Sequence, residues 1–181
     1  MKFRQIALMT IFVAIPCSQA LADNYGFKTI DFKGLHNVTL APNGTVWSGF
    51  QGSYANNGVA VNGAVTNSPA TNACEKIEWK LPGYNDFHDL LAIFSGSNDD
   101  IRLYAPELKQ LNKVFPFFGR IEDFWTATIN PNGFLGQNDG DVYDAFILID
   151  HVSNGIGDIQ GDRLNPGEQA GVVCVNYFNK P

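Results

Sequence analysis

The sequence predicts an α+β domain built mostly from antiparallel β-strands, with two or three short helices and long loops. Three observations predict it. After residue 22, both ends of the chain carry short runs rich in β-branched and aromatic residues. The stretches with a helical period are few and central. Long polar connections, rich in Gly, Asn and Asp, separate the later strands.

The first residues set the compartment. MKFRQ supplies Lys2 and Arg4, IALMTIFVAIPC is a short apolar run, and SQALA ends with Ala20 and Ala22 in A-x-A spacing. This is the order of a secretory signal peptide over residues 1–22, and the run is too short for a membrane span. Cleavage after Ala22 leaves residues 23–181 as one domain, exported to the periplasm or the cell exterior. Losing Lys2 and Arg4 leaves 10 basic against 18 acidic side chains. A surface of that sign disfavours nucleic acid and anionic membranes as partners. Cys74 and Cys174 are the cysteines that remain. An exported chain with two cysteines is expected to pair them, which would add about 4 to 5 kcal/mol by the chain-entropy model. The alternatives are two free thiols or a redox pair, although redox pairs sit close together, as in C-x-x-C.

The elements follow in order. TIDF, NVTLA and TVWSGF read as strands, separated by Gly34-Leu35-His36 and by Pro42-Asn43-Gly44. The second of these is a turn, because proline presets φ and Asn-Gly accepts positive φ. VAVNGAV alternates at Val59 and Val61 and breaks at Asn62-Gly63. Ser68-Pro69 can start a helix. Phe87, Leu90, Leu91 and Phe94 fall at i, i+3, i+4 and i+7, one face of a helix. Asp86 and Asp89 suit the start of that helix, and Ser95-Gly96-Ser97-Asn98 ends it. APELKQLNKVF predicts a second helix with Pro106 in its first turn. FWTATI is a strand, NPNGFLGQNDGDVYD a loop, AFILID a buried strand, VSNGIGDIQGDRLNPGEQ a loop and GVVCVNYF the last strand.

Some of these pieces resemble a family. Cys74 followed by Trp79-Lys80-Leu81-Pro82 and an amphipathic helix is similar to the "C…W-R-L-P-T…E-L" segment of the DUF1566 (Lcl C-terminal) domains. FWTAT resembles their "Y-W-S/T-S-T" strand. DAFILIDHVSNG resembles their "A-W-x-V-x-F-x-x-G" strand and turn, and GVVCVNYF their closing "Y-V-R-C-V-R". The order holds over about residues 70–178. Lys80 stands where the family has Arg, and Gly83 where it has Thr. The resemblance implies a C-type lectin-like fold, a group that also includes the formylglycine-generating enzyme scaffold. In that fold a disulfide commonly ties the first helix to the last strand, which is where Cys74 and Cys174 fall.

The chemistry is less marked. His36, His88 and His151 are far apart, and no H-E-x-x-H, G-x-S-x-G or zinc spacing occurs. The sequence therefore gives no positive sign of an enzyme. Asn138, Asp139, Asp141 and Asp144 form an oxygen-rich stretch of the kind that suits Ca²⁺. Asp158, Asp162, Asn165 and Glu168 form a second. Trp125, Phe134 and Tyr143, with Tyr54, are aromatic residues that could form a platform for a sugar or a protein, or else lie in the core. The expected function is a non-enzymatic binding module for a glycan or surface polymer, with recognition carried by loops. The alternatives are a structural or protein-interaction protein of the bacterial envelope, and an enzyme whose site has no sequence mark.

Overall fold

The computed structural model describes residues 25–62, 64–99, 102–118, 123–129, 142–147, 159–162 and 167–178. It is an α+β fold with two mostly antiparallel sheets and three helices. The first sheet holds β1 (Lys28–Phe32), β2 (Leu35–Leu40), β3 (Thr45–Trp47) and the last strand, β11 (Val175–Tyr177), in the order β1-β2-β3-β11. Phe32 pairs with Leu35, so the first turn is Lys33-Gly34, one step before the expected position. Both residues have positive φ, 47° and 80°, which is the two-residue geometry that matches strand twist. Pro42-Asn43-Gly44 makes the second turn as expected, with Asn43 Oδ1 accepting from the Thr45 N–H at 3.1 Å.

The second sheet gathers β4 (Gly52–Tyr54), β5 (Val59–Val61), β6 (Ala64–Thr66), β7 (Asp123–Ile129) and β10 (Ala170–Val172) in the order β4-β10-β7-β6-β5. β8 (Val142–Ile147) also pairs with β7, and β9 (Ile159–Asp162) pairs with β8. β10 runs parallel to β7, whereas the other described strand pairs are antiparallel. β9 lies inside a segment expected to be loop. Its sequence, IQGD, has little intrinsic β preference, and pairing with β8 supplies what composition does not.

The helices fall at the Ser68-Pro69 start, on the periodic stretch after Gly83 and over APELKQLNKV. α1 (Pro69–Glu75) starts at Ser68, whose Oγ accepts from the Thr71 N–H while Thr71 Oγ1 accepts from the Ser68 N–H, both at 2.9 Å. α2 (Tyr84–Ser95) buries Phe87, Leu90, Leu91 and Phe94, and stops at Gly96 in the left-handed region. α3 (Ala105–Val114) has proline in its first turn and buries Leu108 and Leu111.

GVVCVNYF was expected to be one strand, but it serves two sheets. β10 pairs with β4, and β11 pairs with β3. Between them Val173 and Cys174 face a longer stretch, Ser48 to Gln51. The Ser48 N–H donates to the Cys174 carbonyl, the Cys174 N–H donates to Ser48 Oγ, and the Gln51 N–H donates to the Val172 carbonyl, each at 2.8 Å. The crossing strand is buried on both faces. Val173 and Val175 lie in one core with Trp47, Phe87, Phe115, Phe118 and Phe124. Val172 and Cys174 lie in the other with Val46, Trp79, Leu81 and Trp125. Two-sided burial explains why GVVCV is continuously apolar rather than alternating.

Cys174 is bonded to Cys74 of α1 across a sequence separation of 100. The Trp79-Lys80-Leu81-Pro82 stretch joins the two sheets nearby. Lys80 exchanges both main-chain hydrogen bonds with Val175, at 3.0 and 2.8 Å, and the Pro82 carbonyl accepts from the Ala127 N–H at 2.8 Å. Trp79 and Leu81 alternate inward around the exposed Lys80, against α1 and the sheet. We predict that reducing the Cys74–Cys174 bond lowers unfolding stability by about 2 to 5 kcal/mol. Urea midpoints in oxidising and reducing buffer measure this, and equal midpoints would mean the bond does not staple the fold.

Candidate functional site

Trp125, expected as a possible platform, is fully buried in the core. Its Nε1–H donates to the Tyr54 carbonyl at 2.6 Å. β7 is enclosed on both faces, with Phe124 in one core and Trp125 in the other, so neither ring is free to meet a ligand. Tyr54 is half-buried, and its hydroxyl donates to the Gln51 carbonyl at 3.0 Å. Phe134, Asn138, Asp139, Asp141 and His151 lie outside the described residues. Tyr143 and Asp144 lie on β8. His36 sits 3.1 Å from Asp31 on the β1–β2 hairpin, and His88 sits 3.8 Å from Asp89 on α2. Among the described residues no three His, Cys, Asp or Glu side chains gather as a metal site, and no helix is long and apolar enough to cross a membrane.

One end of the second sheet collects several elements. β7 reaches it at Thr128, which pairs with Ala64 just after the Asn62 turn of the β5–β6 hairpin. Thr128 Oγ1 accepts from the Tyr84 N–H at 2.8 Å, which draws the start of α2 to the same end. Val142 opens β8 opposite Ile129, the last residue of β7. β9 runs back along β8 and ends at Asp162, opposite Asp144. β7 ends there at Ile129 and β8 begins there at Val142. Register also brings the two acidic stretches together, because Asp144 and Asp162 are cross-strand partners. Like charges directly opposite each other destabilise a strand pair.

The start of α2 is held by a second contact that the sequence did not suggest. Asp86 accepts from the Gly83 N–H through Oδ2 at 2.8 Å and from the Tyr177 hydroxyl through Oδ1 at 2.9 Å. Asp86 was expected only to complement the helix dipole. Nothing local in the sequence marks a tyrosine 91 residues away as its partner. The exposed aromatic rings among the described residues are Phe50, Tyr104 and Phe178, none of which alternation or spacing singles out.

Among the described residues two groups have a shifted pKa. The Asp31 carboxyl is held below its ordinary value by hydrogen bonds from His36 and from the Asn37 N–H. The Tyr177 phenol is pushed above its ordinary value, first by burial, then by its hydrogen bond to Asp86 and the charges of Asp86 and Asp89.

With this geometry in view, no family model, curated protein or solved structure matches the chain.

Tyr177 gives a prediction with a definite sign. Its raised value means that folding favours the neutral phenol. That contribution is whole below pH 10.0, the unfolded value, and is lost as pH climbs toward the folded one. Tyr177→Phe keeps the ring and removes the hydroxyl, so it should cost about 1 kcal/mol at neutral pH. It should also flatten the alkaline fall of the thermal midpoint. Parallel alkaline slopes in the two proteins would exclude this linkage.

Proposed function

We propose that the chain is an exported, non-enzymatic binding module that recognises a glycan or surface polymer at the Thr128–Val142 end of its second sheet. The scaffold is read as C-type lectin-like, of the DUF1566 kind. Support for that reading is the agreement of the motifs with the elements. Cys74 lies in the first helix, Trp79-Lys80-Leu81-Pro82 bridges the sheets, FWTAT lies in β7, and GVVCVNYF closes the fold and carries the bonded Cys174. Phe134 and Tyr143 remain the proposed aromatic contacts, since Trp125 belongs to the core.

The observation that carries the site is the Asp144–Asp162 register. Two acidic stretches that are separate in sequence meet at the end where the 130–141 connection departs. A divalent cation would turn their repulsion into shared coordination, with Asn138, Asp139 and Asp141 as further oxygen ligands. Ca²⁺ fits this oxygen-only chemistry. Bound there, it would offer its remaining positions to sugar hydroxyls.

The sign of one mutation separates this from plain repulsion. With chelator present, Asp144→Asn should leave the thermal midpoint unchanged or raise it, because a like-charge pair is removed. With Ca²⁺ present, wild type should gain a rise in midpoint that Asp144→Asn lacks. A glycan array run with Ca²⁺ and with chelator then tests recognition, and calcium-dependent glycan signal is the expected result. No rise with Ca²⁺ would remove the cation. An array with no signal, together with recovery of one envelope protein, would replace the glycan by a protein partner.

A further inference from the structure

The geometry points to a second surface, which begins beside the sheet end: β5 is an edge through which two copies of this chain pair. β5 closes the β4-β10-β7-β6-β5 path, and among the described residues no strand lies on its outer side. Val59 and Val61 are 60% and 46% exposed on one face of this strand. Edge strands are usually blunted by charges, proline or bulges, because their open main-chain groups invite pairing. β1, the edge of the other sheet, follows that rule. It carries Lys28 and Asp31, and its register shifts between Ile30 and Phe32. β5 is guarded only by its three-residue length: Asn57-Gly58-Val59-Ala60-Val61-Asn62 has no charge and no proline.

Charge selects a second copy as the occupant. The chain has a formal net charge of −6, so two copies repel over most approaches. From Gly34 to Cys74, however, there is no Asp, Glu, Lys or Arg. β5 lies within that stretch, so the strand itself sets no charge against that of a mate. The strand is also self-complementary. A two-fold axis through Ala60 sets Val59 of each copy opposite Val61 of its mate, as an isologous contact requires. Four valines then form one row, and the sheet continues from copy to copy.

The base of the hairpin is fixed in advance. Buried Asn56 donates from Nδ2 to the Thr126 carbonyl at 3.3 Å and accepts from Ser68 Oγ at 2.6 Å. Gly58 passes so near β6 that an added Cβ would lie 2.1 Å from the Thr66 carbonyl oxygen. Pairing therefore needs little reordering of the strand. Three residues a side bury far less than the roughly 800 Å² per partner of a stable interface. The dimer is accordingly weak and forms with rising concentration.

Sedimentation velocity of the full mature chain from micromolar to near-millimolar concentration tests this. A monomer–dimer equilibrium is expected, and added salt should strengthen it, because salt screens repulsion between the acidic copies. Val59→Lys should abolish the dimer at concentrations where wild type forms it, while Tyr104→Lys, exposed elsewhere, should not. Ala60→Cys on the two-fold axis should yield a covalent dimer on mild oxidation, which keeps the test open if Val59→Lys fails to fold. Wild type that stays monomeric throughout, a dimer untouched by a folded Val59→Lys variant, or an Ala60→Cys chain that does not cross-link would each overturn the proposal.

Discussion

A short stretch of strand, Val172 to Val175, is the constraint on which the rest of this structure depends. It passes from one sheet to the other, and its alternating side chains enter both cores. Such a segment has no solvent face, so its main-chain groups must be paired within the protein. Ser48, Gln51 and Lys80 provide those partners. Cys174 fixes the same point covalently to α1. The unfolded chain must close a very long loop to form this crossing, and the bond removes most of that entropic cost from the start.

The crossing also positions the sheet end. Beyond it, β11 runs on to Tyr177, whose hydroxyl holds Asp86 at the start of α2. At the same helix start, Thr128 of β7 accepts from the Tyr84 N–H. The beginning of α2 is thus pinned by one strand from each sheet. These two bonds tie the sheets to a common element. Thr128 therefore sits on a frame whose geometry is set by packing. Rigid frames of this kind let connections vary in sequence without loss of fold.

Local physics was legible in the sequence, and pairing over long distances was not. The helix from Tyr84 to Ser95 was readable because its period and its stop are both local. Ser68-Pro69 and Pro42-Asn43-Gly44 were readable for the same reason. The splitting of GVVCVNYF was hidden, because a continuous apolar run looks the same whether one sheet covers both faces or two sheets share it. β9 was hidden because Gly161 and Asp162 carry loop composition, and only β8 makes them a strand. Trp125 illustrates the limit for sites. An aromatic residue in a strand is equally suited to a platform and to a core, and the partner that decides, the Tyr54 carbonyl, is 71 residues away. The Asp144–Asp162 pairing was out of reach for the same reason, although both acidic stretches were visible separately.

The lack of charge between Gly34 and Cys74 has more than one physical origin. Part of it is burial. Thr45, Ser48, Asn56, Ser68 and Thr71 are buried, and neutral polar groups can be enclosed at modest cost once hydrogen-bonded, whereas charges cannot. Part of it is backbone shape. Asn37, Asn62 and Asn67 all have positive φ, where asparagine is favoured over lysine or glutamate. Neither reason covers Ser53, Asn57, Val59 and Val61, which are exposed and have ordinary backbone. A charge at any of these positions would meet water and strain nothing. Its absence there is therefore a property of the surface itself, not a by-product of the core or the turns.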